Sequence, residues 1–350
     1  MAFYFRLCAL VFAVLLSAAS PLYLVQANAC DFSLGNWVLD DSHYPLYDAS
    51  RDCPFIGRGF NCLRNGRPDQ DYLKYRWKPS GCDLPRGVVL VSRFDGVNFL
   101  ERYKGKKIMF VGDSISNNMW QSLTCLLHNA VPESSYALST PTKYLSVFTI
   151  PEFDVSIIWL KNGFLVDVVH DKEKGRIVKL DSIKSGYMWK GDVLIFNTYH
   201  WWTHLNESVT VQFQVGNETI KNMDPMEAYK IGLTTWSKWI DANIDPSMTK
   251  VLFQGIAASH FEGEGCLKET EPEEGAQPPY PGVEIVKNVL SSMSYPVYLL
   301  DITFLTQLRI DGHPSIYTGK GTSYVDCSHW CLAGAPDAWN EILYAVLLGL

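Results

Sequence analysis

The chain has 350 residues, of which 47% are hydrophobic and 19% charged, and its formal net charge is -7 at pH 7. So much apolar side chain in that length supports a large buried core and excludes an intrinsically disordered chain. The acidic balance leaves no cationic surplus to neutralise phosphates, which excludes nucleic acid as an expected partner.

In chain order, the first segment is 1–29: one cation, Arg6, an apolar run from Leu7 to Val25, and then Ala27-Asn28-Ala29. That ending has the small-x-small form of a signal-peptidase site, while the run is also near the length of one membrane span. A cleaved signal peptide and a retained single anchor are both compatible, and both send the rest into the secretory pathway. Of nine cysteines, Cys8 lies in this segment, leaving Cys30, Cys53, Cys62, Cys82, Cys125, Cys266, Cys327 and Cys331. An even number in an oxidising compartment predicts four disulfides, with the pairing left open. Two glycosylation sequons, at Asn206 and Asn217, fit the same address.

Residues 30–93 are dense in Cys, Gly, Pro and aromatics without a helical period, and predict a loop-rich, disulfide-stapled N-terminal lobe. From residue 104 to 350 the pattern becomes that of an α/β domain. Buried strands are predicted at Ile108–Val111, Val155–Leu160, Val193–Phe196, Val251–Phe253 and Val297–Leu300. Helices are predicted at Asn117–His128, Met226–Ile240, Val283–Met293 and Asp337–Leu348. Such alternation implies a parallel sheet flanked by helices, with its site beyond the carboxyl ends of the strands.

Gly112-Asp113-Ser114 sits at such a strand end, just before a helix. Gly112 permits a sharp exit, and a Ser at a helix start keeps its own N–H free for a developing oxyanion. Near the C-terminus, Asp326-Cys327-Ser328-His329-Trp330-Cys331 places an acid three residues before a His. With Ser114 as nucleophile, His329 as base and Asp326 as its orienting acid, the inventory is that of serine acyl transfer. Asn197 ends another strand, where its amide suits an oxyanion, and Trp201 and Trp202 follow as faces for a sugar ring. His200, His204, His260 and His313 are rival bases. Cys327, His329 and Cys331 have metal-like spacing, but oxidised thiols and the lack of a fourth ligand predict no metal.

These motifs, together with Cys30-Asp31, Gly35-Asn36-Trp37, Asn65-Gly66-Arg67-Pro68-Asp69 and Tyr75-Arg76-Trp77-Lys78-Pro79, resemble the trichome birefringence-like family of plant cell-wall polysaccharide O-acetyltransferases, relatives of the GDSL/SGNH esterases. The resemblance covers nearly everything after the targeting segment. It departs at Ile115, where the family has Leu, at Ala333, where Pro is usual, and in a shorter loop from His260 to Cys266. It implies an SGNH-hydrolase-like fold, a Ser114–His329–Asp326 triad, and a membrane-anchored or secreted protein of the Golgi and cell-wall route; the residues themselves put Gly112 and Asp113 with Asn197 at the expected oxyanion and substrate site. The implied reaction moves acetyl from an unidentified donor, with no bound cofactor, to a hydroxyl of xylan, mannan, xyloglucan or pectin. An acetylesterase with the same triad and a non-catalytic polysaccharide-binding protein are the alternatives.

Overall fold

The computed structural model describes residues 30–85, 94–173, 175–203, 211–220 and 222–349. The expected targeting segment 1–29, the sequon at Asn206 and the rival base His204 lie outside them. The first elements in chain order are β1 (Gly35–Leu39), β2 (Tyr75–Pro79), α1 (Gly96–Arg102), β3 (Lys107–Gly112), α2 (Ser114–Ala130), β4 (Ala137–Thr142), β5 (Leu145–Ile150) and β6 (Val155–Lys161). Next come β7 (Asp167–Asp171), β8 (Gly175–Lys179), β9 (Val193–Phe196), α3 (His200–Thr203), β10 (Val211–Val215), β11 (Glu218–Ile220) and α4 (Pro225–Asn243). The last are β12 (Lys250–Gln254), α5 (Val283–Ser291), β13 (Tyr298–Leu300), α6 (Thr303–Gln307) and α7 (Ala335–Gly349).

The central sheet has seven strands in the order β13-β12-β9-β3-β6-β5-β4. The run from β13 to β6 is parallel throughout, whereas β5 and β4 add on as antiparallel strands. All five predicted strands are present in the parallel part, where burial on both faces requires continuous apolar runs such as Val-Leu-Ile-Phe in β9. The antiparallel extension was not predicted, because β4 is exposed at every position and carries Pro141, a composition suited to a sheet edge but not to a core. A second, four-stranded sheet, β11-β10-β8-β7, was also not predicted.

Helix α2 begins at Ser114, three residues before the predicted start. Asp113 caps it, its Oδ1 accepting from the Ile115 N–H at 2.8 Å. Ser114, Ser116 and Asn117 blur the helical period at that end, and the cap stabilises the turn instead. Apolar clusters cover both faces of the sheet: one gathers α2 and α7 with the N-terminal segment, the other α4 and α5. Tyr47, Cys53, Tyr72 and Trp77 belong to the first cluster, so the cysteine-rich segment shares the core of the α/β domain. Among the described residues, no helix is long and apolar enough to cross a membrane.

Two of the disulfides join the segment to the same core. Cys53 bridges to Cys125 in α2, Cys62 to Cys331, and Cys266 to Cys327. Cys30 and Cys82 are disulfide-bonded as well, making four bridges in all.

Helix α7 meets α2 through a buried polar network. Asp337 accepts from the Ser122 hydroxyl at 2.6 Å, the Tyr47 hydroxyl at 3.0 Å and the Gly334 N–H at 2.8 Å. Burial pushes its carboxyl up to about 6, and the three donors only partly offset this. Because the folded pKa lies above the unfolded one, this group favours folding below about pH 4 and loses that contribution as pH rises through 6. Asp326 works in the opposite sense: its carboxyl is held well below the ordinary range, so its contribution is present above about pH 4 and lost as pH falls. We expect the melting temperature of Asp337→Asn to lose less than that of the wild type between pH 4 and 6, and that of Asp326→Asn to fall less below pH 4. Parallel pH profiles for wild type and variants would remove both assignments.

Candidate active site

Strand β3 lies between β6 and β9, which come later in the chain on opposite sides of it. Connections leave β3 in both directions there, so a crevice opens at its carboxyl end. Gly112, Asp113 and Ser114 occupy that end. A Cβ at Gly112 would lie 2.6 Å from the Asn197 carbonyl oxygen and 2.9 Å from the Ser116 Cβ, so only glycine lets β3 and β9 end side by side against α2. Ser114 is partly exposed. Its N–H and hydroxyl have no hydrogen-bond partner among the described residues, as the first turn of a helix allows.

The segment carrying Asp326 and His329 lies outside the helices and named strands: an isolated antiparallel bridge pairs Asp326 with Ser315, and side chains hold the residues that follow. His329 Nδ1 lies 2.8 Å from Asp326 Oδ2. The other carboxylate oxygen accepts the N–H groups of Ser328 at 3.1 Å and His329 at 3.0 Å. Burial alone would push the Asp326 carboxyl up, but these bonds and the imidazole hold it well below its ordinary value, and the carboxylate stays ionised. An ionised carboxylate only accepts, so Nδ1 carries the proton and Nε2 of the neutral ring is left as the base. Nε2 has no hydrogen-bond partner among the described residues.

Asn118, one turn along α2 from Ser114, ties this segment to the nucleophile helix. Its Oδ1 accepts the Trp330 N–H and its Nδ2 donates to the Trp330 carbonyl, both at 3.0 Å. His329 is within electrostatic reach of Asp113, the residue before Ser114. The Asp326–His329 segment is thus tied to the helix that begins at Ser114, more than two hundred residues earlier in the sequence. The disulfides from Cys327 to Cys266 and from Cys331 to Cys62 fasten the segment on both sides and remove those thiols as metal donors.

Asn197 ends β9 with 1% exposure, and neither atom of its amide has a partner among the described residues. Gln254 is in the same condition at the end of β12, next to it in register. Buried amides without partners are costly, and at a site they stand ready for a ligand or water.

Two residues expected at the substrate are buried within the fold. Asp113 is fully buried as the cap of α2, and burial pushes its carboxyl up despite the Ile115 N–H and the nearby His329. Trp202 is also fully buried: its indole N–H donates to Thr198 Oγ1 at 2.8 Å and its ring stacks on Phe213. The two indoles are adjacent in the short helix α3, which buries one and leaves the other half-buried. Trp201 is half-buried, with the Arg176 guanidinium 4.8 Å and the Lys161 ammonium 5.8 Å from its ring centre. Among the rival bases, His200 Nδ1 lies 3.9 Å from Asp113 Oδ2.

Sequence reasoning missed Phe60, whose ring lies 5.6 Å from that of His329. Its carbonyl accepts the Leu332 N–H at 2.9 Å, and the nearby Gly57 N–H donates to Gln121 of α2 at 2.7 Å. The N-terminal segment thus forms a wall of the site. Its signal in the sequence was Cys62, two residues away, but the pairing that brings it to His329 was open.

Comparison with known proteins shows the family. Residues 91–346 match the PC-Esterase family, described as the GDSL/SGNH-like acyl-esterase family found in Pmr5 and Cas1p. Residues 28–83 match the PMR5 N-terminal domain. The chain is 54% identical to protein trichome birefringence-like 42 of Arabidopsis thaliana, over 92% of this chain and 90% of that protein. It is 49% identical to protein trichome birefringence-like 43 of the same plant, over 94% and 90%. To protein trichome birefringence it is 39% identical, over 91% of this chain and 56% of the longer relative. The chain belongs to the GDSL/SGNH-like acyl-esterase family found in Pmr5 and Cas1p, alongside the trichome birefringence-like proteins of plants, and its chemistry is that of acyl esters.

Proposed function

We propose that this chain is an O-acetyltransferase that moves acetyl through an ester on Ser114 to a hydroxyl of a plant cell-wall polysaccharide, in the secretory pathway or wall. The observation that carries the reading is the Asp326–His329 pair at 2.8 Å, with Nε2 unengaged and the segment pinned to the Ser114 helix by Asn118. His329 Nε2 takes the Ser114 proton as Oγ attacks the acetyl carbonyl, and the proton passes to the departing donor group. A sugar hydroxyl then gives its proton to Nε2 and attacks the acetyl ester, and Ser114 Oγ recovers the proton as it leaves. Asp326 stabilises the imidazolium in both steps. The negative charge on the carbonyl oxygen is met by the Ser114 N–H and the Asn197 amide. Trp201, which is half-buried, supplies a stacking face for the glycan.

Asn197→Ala is expected to lower kcat by about 10²–10³-fold with little change in KM, the usual cost of removing one oxyanion donor. Steady-state acetyl transfer checks this, and an unchanged kcat would take Asn197 out of the site.

A second reading has support in the family description itself, which is that of an esterase. With water in place of the sugar hydroxyl, the same residues deacetylate a glycan. Purified protein incubated with an acetyl donor and a panel of wall polysaccharides, followed by NMR, separates the two. Ser114-dependent acetyl on a glycan supports transfer; acetate released from an acetylated glycan with no transfer supports hydrolysis.

A further inference from the structure

His260 and His313 have no part in the triad, yet they touch each other and lead to it. His260 Nδ1 lies 2.7 Å from His313 Nε2, and His313 Nδ1 lies 2.7 Å from the His329 carbonyl oxygen. At the other end, His260 Nε2 lies 3.0 Å from the Gln307 carbonyl oxygen. His313 is 1% exposed, and its ring lies 4.1 Å from that of Trp330. Arg67 holds its main chain, donating to the carbonyls of His313 at 2.9 Å and Asp311 at 2.8 Å.

The proton count decides how this chain of contacts runs. A carbonyl only accepts, so each end needs an N–H, and the nitrogen–nitrogen contact needs another. Three protons are required where two neutral rings carry two. In a neutral pair one contact lacks its proton. Two arrangements keep the His329 carbonyl bonded through His313 Nδ1–H; the one that also supplies a proton to the 2.7 Å nitrogen–nitrogen contact has His260 protonated at Nδ1 and donating to His313 Nε2, with His260 Nε2 bare. A third proton at His260 Nε2 completes the chain without disturbing the His329 end. Burial favours the neutral rings. It lowers His313 strongly, with His260 and His329 adding to the effect and the His329 carbonyl and Asp326 opposing it. It lowers His260 too, against the Gln307 carbonyl, Glu273 and Asp311.

We propose that His260 and His313 are positioning residues for the base: a histidine pair, with its hydrogen bonds running from His260 through His313 to the His329 carbonyl, fixes the main chain that carries the imidazole. The proposal rests on the reading of His329 as the base. Each main-chain group around that residue is held by a buried or half-buried side chain: its N–H by Asp326, its carbonyl by His313 and the next N–H by Asn118. Main-chain bonds fix the neighbours, Asp326 to Ser315 and Cys331 to Gly312, but not His329 itself, so a lost side-chain bond loosens that peptide and lets the ring drift. Small displacements of a reacting group cost large factors in rate.

The test uses the full secreted protein labelled with nitrogen-15 in histidine. Long-range nitrogen–proton spectra are expected to show scalar coupling between His260 Nδ1 and His313 Nε2, with the proton on His260. No coupling, or a proton on His313 Nε2, would overturn the proposal. In activity, His260→Ala is expected to lower kcat about 10–100-fold with KM little changed. His260→Asn, whose amide reaches the place of Nδ1, should recover most of that loss. An unchanged kcat in His260→Ala would overturn the positioning role, as would an Asn variant no better than Ala. Full activity in His329→Ala would instead remove the base itself, and the coupling measurement does not depend on that outcome.

Discussion

Ser114→Ala should reduce acetyl turnover by about 10⁴-fold or more, and His329→Ala by a comparable factor, because nucleophile and base act as one unit. The double variant should then be little worse than either single one. Stability should barely respond, since Ser114 is partly exposed and its hydroxyl bonds to nothing among the described residues. Asp113, not Ser114, caps the helix. Single-turnover kinetics with a radiolabelled acetyl donor checks the turnover, and thermal melting of the same variants checks the stability. Labelled acetyl remaining on the protein in Ser114→Ala would move the acyl-enzyme elsewhere, and additive losses in the double variant would break the unit.

The second large effect concerns the bridge between Cys62 and Cys331, which joins residues 269 apart in sequence. It sits two residues beyond His329 on one side and two beyond Phe60 on the other. Replacing both cysteines with Ser should cost about 2–5 kcal/mol of stability, as for a native disulfide in a secreted protein. In addition, kcat should fall at least about tenfold, because the segment with His329 and the wall with Phe60 lose their common anchor. The bridge between Cys53 and Cys125 supplies the control. It fastens the same N-terminal segment to α2 but does not touch the segment with His329. Its removal should lower the melting temperature while sparing kcat at temperatures where the protein is folded. Equal loss of kcat in the two double variants would mean that the bridges act through global stability alone.

Both expectations depend on how the cysteine-rich segment is placed, which was the least legible part of the chain. Residues 30–93 showed their composition and an even share of cysteines, but no period from which to read a packing face. The structure places their aromatic residues in the same apolar cluster as α2 and α7, and Phe60 against His329. That placement follows from disulfide pairing and long-range burial, neither of which leaves a local trace.

The five parallel strands and four long helices were readable from the sequence because a strand buried on both faces needs an uninterrupted apolar run and a covering helix needs a stripe. The Gly112-Asp113-Ser114 turn and the Asp326–His329 spacing were readable for a related reason: a sharp turn and a one-turn contact are local geometry. What the tertiary structure alone decided was everything that depends on distant partners. It paired Cys62 with Cys331, set Asn118 against Trp330, joined His260 to His313, and divided adjacent indoles so that Trp202 entered the core while Trp201 stayed half-buried. A side chain's type states what it is able to bond, but the partner is chosen by the fold that brings two remote segments within 3 Å.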